Sequence, residues 1–123
     1  SASFTTNRAL YKGGAIATHT GGNIVVEGAS FANNIAEFGG AIMTSAASTA
    51  SVANCTFTSN QARSGGGAVA LFSTGSIDEP GMLDDCSFIQ NIAGEEGGGV
   101  LLSAGYTNVQ RCTFLGNEAG ENW

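Results

Sequence analysis

With 123 residues, 19 glycines, one proline, 11% charged side chains and a net charge of −6, the chain has material for one core and one domain. Arg8, Lys12, Arg63 and Arg111 against ten Asp and Glu cannot form the basic face that displaces counterions from phosphate, so neither nucleic acid nor an anionic membrane surface is an expected partner. No apolar run reaches the roughly 18 residues that cross a bilayer, so direct insertion of this segment is not expected.

The first element sets a pattern that the rest of the chain repeats. Phe4-x-x-Asn7-x-Ala9 is followed by Gly13-Gly14-Ala15-Ile16. The unit returns as Phe31/Asn34/Ala36 with Gly39-Gly40-Ala41-Ile42, then as Phe57/Asn60/Ala62 with Gly66-Gly67-Ala68-Val69. It returns again as Phe88/Asn91/Ala93 with Gly97-Gly98-Gly99-Val100, and last as Phe114/Asn117/Ala119. The Phe-to-Phe intervals are 27, 26, 31 and 26 residues. Between these motifs the apolar stretches are short and alternate with a period near two, bounded by Gly, Asn and Ser, whereas helical repeats need apolar positions at i, i+3, i+4 and i+7. The expectation is an all-β, right-handed parallel β-helix (a β-solenoid) of about 4.5 coils of 26–31 residues, one segment over residues 1–123 with no caps. The start at Ser-Ala-Ser-Phe, without an initiator Met, reads as the interior of a longer protein.

Column by column, most recurring residues have a structural use. The Phe column builds the core. The Asn column (Asn7, Asn34, Asn60, Asn91, Asn117) is expected to stack its amides at a coil corner, and the Gly pairs suit positive φ or close backbone approach. Ser30, Thr56, Ser87 and Thr113 precede Phe and face out. Cys55, Cys86 and Cys112 share a column with Ala2 and Ala29. Stacked Cα atoms there lie within disulfide range but the Cβ vectors run parallel, so buried free thiols are favoured over a bridge. The lone His19 lies elsewhere in its coil and leaves no fourth zinc ligand.

What does not repeat is where function is sought. The interval of 31 residues places an insertion around 72–81, with the only proline. Acids cluster at Asp78-Glu79, Asp84-Asp85 and Glu95-Glu96, and a calcium site from Glu79, Asp84 and Asp85 is the metal candidate that hard oxygen ligands allow. Coil-to-coil register predicts the ion pairs Glu37–Arg63 and Asp85–Arg111. Asn54-Cys55-Thr56 is a glycosylation sequon whose Asn should face out. No catalytic residues and no cofactor are expected.

The pair Phe-x-x-Asn and Gly-Gly-Ala-Ile resembles the repeat pair of the chlamydial polymorphic outer membrane proteins and of related repeats in long secreted or surface proteins. Residues 13–16 and 39–42 match the second motif letter for letter, while 66–69 and 97–100 depart conservatively. The resemblance implies a right-handed β-helix passenger or stalk exported to the cell surface and used for adhesion, assembly or display. The expected function is a non-catalytic structural or adhesive segment of a large extracellular protein. One alternative is a carbohydrate-binding or carbohydrate-active β-helix, and another is a subunit of a filament or organelle assembly. Expected partners are proteins, further copies through faces and open ends, and glycans.

Overall fold

The computed structural model describes residues 2–45 and 48–120. The first coil carries β1 (Ala2–Thr5), β2 (Ile16–Ala17) and β3 (Asn23–Glu27). The second carries β4 (Ala29–Ala32), β5 (Ile35–Phe38), β6 (Ile42–Thr44) and β7 (Thr49–Ala53). The third carries β8 (Thr56–Thr58), β9 (Gln61–Gly65), β10 (Val69–Thr74) and β11 (Gly81–Asp84). The fourth carries β12 (Ser87–Ile89), β13 (Ile92–Ala93), β14 (Val100–Gly105) and β15 (Thr107–Gln110), and β16 (Thr113–Leu115) and β17 (Glu118–Ala119) begin a fifth. Each strand pairs with its own counterpart one coil away. The result is four parallel sheets, ordered β1-β4-β8-β12-β16, β17-β13-β9-β5, β14-β10-β6-β2 and β15-β11-β7-β3, with no helix among the described residues. The chain is a β-solenoid. In-register stacking satisfies the backbone of an interior strand from both sides, so strands of two or three residues can persist.

The core is a set of columns. The rings of Phe4, Phe31, Phe57, Phe88 and Phe114 stack with centroids 4.8 Å apart and planes within 7° of parallel. That spacing is the coil repeat, and it falls in the range where parallel rings attract when offset. Phe31, Phe57 and Phe88 are fully buried, while Phe4 and Phe114 have a ring on one side only and are partly exposed. Each buried ring contributes on the order of 2 kcal/mol through the apolar area it removes from water. Ile42, Val69 and Leu71 of the Gly-Gly side and Val52 and Leu83 of the return strands close the core around them.

Three columns of positive φ turn each coil. One comprises Gly28, Asn54, Asp85 and Arg111; one comprises Thr6, Asn33, Ser59, Gln90 and Gly116; the third comprises Gly13, Gly39, Gly66 and Gly97. The second column corrects an expectation. The corner falls on the residue before the recurring Asn, and the Asn itself turns its side chain inward. The Gly pair divides its labour: the first glycine takes positive φ, and at the second a Cβ would collide with the carbonyl oxygen of the glycine one coil on. Gly14 meets Gly40, Gly40 meets Gly67, and Gly67 meets Gly98 in this way.

The long third coil is also resolved. Thr74 pairs with Gly105 and Gly81 with Thr107, so Gly75–Pro80 occupies the place that Tyr106 alone fills one coil later. The insertion is therefore narrower than 72–81. Phe72 belongs to β10 and packs edge-on against Phe38, with centroids 5.3 Å apart.

Candidate functional site

Asn60 shows what the Asn column does. Its amide nitrogen donates to the Phe31 carbonyl at 3.0 Å and to Asn91 Oδ1 at 3.0 Å. Its own Oδ1 accepts from the Asn34 backbone N–H at 3.0 Å and from Asn34 Nδ2 at 2.9 Å. Two donors and two acceptor positions are all used, so nothing remains for a ligand. Asn34 and Asn91 are arranged alike, and all three are fully buried.

The three cysteines are free thiols, Cys55 and Cys86 buried and Cys112 half-buried. Their Sγ atoms lie near main-chain carbonyls, as Cys86 does 3.5 Å from Val52 O. The hydrogen bond with Cys55 and then burial push the Cys86 thiol well above the usual range, so it stays protonated and unreactive.

The charged residues part from expectation in two places. Arg111 Nη2 donates to Asp84 Oδ2 at 2.6 Å, and this is the one salt bridge among the described residues. Asp85, the expected partner, is itself at a positive-φ corner in register with Arg111; the guanidinium reaches instead to the half-buried carboxylate one residue earlier. Glu37 and Arg63 are not joined, because β9 bulges between them: Ala36 pairs with Ala62 but Phe38 pairs with Gly65. The calcium candidate also fails. Among the described residues no three His, Cys, Asp or Glu side chains gather as a metal would require, so Glu79, Asp84 and Asp85 do not converge. The ammonium of Lys12 lies 3.2 Å from His19 Nε2, an exposed contact that the sequence did not signal.

Asn54 of the sequon is exposed at its corner, and Thr56 beside it faces solvent on β8. The Gly75–Pro80 loop is held by the Ser76 N–H to the Glu79 carbonyl at 3.0 Å, and Ile77 at its tip is exposed.

A groove follows the outside of the β5-β9-β13-β17 sheet. Its floor is a single file, Arg8, Ile35, Gln61, Ile92 and Glu118, in register from coil to coil. One stretch, of about 460 Å³, is lined by Arg8, Ile35, Gln61 and Arg63. The next, of about 390 Å³, continues from Gln61 past Ser59, Gln90 and Ile92 to Gly116 and Glu118. Sequence reasoning missed this groove. Its floor is the position between Asn and Ala of each unit, whose residue type varies, and Ser59, Gln90 and Gly116 are the equally varied position before Asn, which takes positive φ. The signal lay in the letters of the motif that vary.

The family model for the Chlamydia polymorphic membrane protein repeat matches residues 1–19 and 54–71, which hold the first and third copies of the unit. No curated protein matches the chain, and no solved structure does. The repeat match and the stacked parallel sheets together fit a β-helix segment of a surface protein.

Proposed function

We propose that the chain is a rigid, non-catalytic spacer of a cell-surface protein that presents the Gly75–Pro80 loop for adhesion. The observation that carries this reading is the Phe–Asn ladder, in which the recurring side chains are buried and their hydrogen bonds used up. A scaffold whose repeated residues serve only itself leaves its varying residues to meet partners. The repeat match supports a place at the outer membrane or cell surface. Rigidity follows from continuous ladders on four sides and from a core of stacked rings.

The test is to display the chain on a heterologous bacterial surface beside a version lacking Ser76–Pro80. The intact chain should promote attachment to cultured host cells, the shortened chain should not, and both should resist protease equally. Equal attachment by both would overturn presentation through the loop. Early cleavage within the coils of the intact chain would overturn the rigid-spacer reading.

A further inference from the structure

From the groove on the β5-β9-β13-β17 sheet we infer a binding site for an extended acidic glycan with an anionic group on every second sugar. This stands apart from the adhesive loop and does not depend on it. The floor offers one side chain per coil at a pitch of 4.8 Å, the spacing of the stacked rings beneath it. A polypeptide strand rises about 3.3 Å per residue, out of step with that pitch, and would find side chains on the floor where it needs backbone partners. The rise per sugar of an extended glycan is close to the pitch. Single-stranded nucleic acid is stacked on aromatic rings by the proteins that bind it, and the floor has none.

Charge sets the glycan type. Arg8 and Arg63 both line the groove, and among the described residues neither has an ion-pair partner. Arg8 belongs to the first coil and Arg63 to the third, two steps of 4.8 Å along the axis, with Arg63 set to the side of the floor file two residues along β9 from Gln61; the axial separation is the repeat of a disaccharide rather than of one sugar. A guanidinium suits carboxylate and sulfate alike through paired N–H donors. Ile35 of the second coil lies between them and Ile92 beyond, to meet the apolar faces of the sugar rings; Gln61 beside Arg63 and Gln90 on the next coil supply amides for hydroxyls, and Glu118 closes the far end against further acid groups. Because the chain as a whole carries −6, indiscriminate attraction of polyanions does not compete with the site.

The test is titration of the intact chain with short oligosaccharides of hyaluronan, of chondroitin sulfate and of dextran, matched in length. The acidic ligands should bind, more weakly as salt rises, and neutral dextran should not. Binding of hyaluronan assigns the carboxylate as the recognised group, and binding of chondroitin sulfate alone assigns the sulfate. Arg8→Gln and Arg63→Gln should each weaken the acidic ligand about tenfold, as expected for losing a charged hydrogen-bond donor. Arg111→Gln, outside the groove, should leave it unchanged. The inference is overturned if neither acidic ligand binds, if dextran binds as well as they do, or if Arg111→Gln weakens binding as much as the groove variants.

Discussion

At the residue scale, Asn60 and Phe57 divide the work of one coil between polarity and volume. Replacing Asn60 by Ala removes four hydrogen bonds at once and leaves the Phe31 carbonyl and the Asn34 main-chain and side-chain N–H groups short of a partner, while Asn91 Oδ1 keeps the backbone N–H of residue 60. Each buried orphan costs about 1–3 kcal/mol, so Asn60→Ala is expected to lower stability in urea unfolding by at least about 3 kcal/mol. Phe57→Ala opens a void between two rings and should cost about 3–5 kcal/mol, read as a lowered melting temperature; an unchanged melt would remove Phe57 from the core. Two glycines make a sharper contrast. Gly67→Ala should destabilise strongly, since its Cβ would strike the Gly98 carbonyl, whereas Gly28→Asn should change stability by less than about 1 kcal/mol. At Gly28 the space is open and the same corner already holds Asn54, Asp85 and Arg111 at positive φ. The recurrence of Gly-Gly is legible in the sequence, but the different duty of its two members is not, because it depends on how closely the next coil's backbone passes.

At the scale of elements, the third coil shows that a long connection is compatible with undisturbed register. Tyr106 spans alone what Gly75–Pro80 spans with six residues, and the flanking strands pair alike on both sides. Deleting Ser76–Pro80 should therefore keep the circular dichroism spectrum and shift stability little, because closing a short loop costs entropy that changes only slowly with its length. Loss of β10–β11 structure in the deletion would show that the loop is part of the fold. The neighbouring bulge in β9 has the opposite character: one extra residue breaks the Glu37–Arg63 alignment and leaves Arg63 over the groove. Phe-to-Phe intervals find the insertion of five, whereas the bulge of one shows only within the unit, where Phe57 to Gly66 is one residue longer than Phe31 to Gly39.

For the whole molecule, stability should be graded along the axis. Coils around Phe31, Phe57 and Phe88 are covered on both sides, and amide exchange is expected to be slowest there and faster in β1, β16 and β17. Thiol labelling gives a second reading: Cys112 should react in the folded chain, Cys55 and Cys86 only after denaturation. Equal rates for all three would contradict the buried column. The architecture itself was determined by the sequence alone, because in a parallel in-register stack every buried position must tolerate its own copy 4.8 Å away, and that requirement writes Phe over Phe and Asn over Asn. Only the tertiary structure decided which of two adjacent residues takes the positive-φ corner, that Arg111 pairs with Asp84, and that Arg8, Gln61 and Arg63 share one groove. Those outcomes depend on where each Cα–Cβ bond points and how far a side chain reaches across coils, which a one-dimensional period does not record.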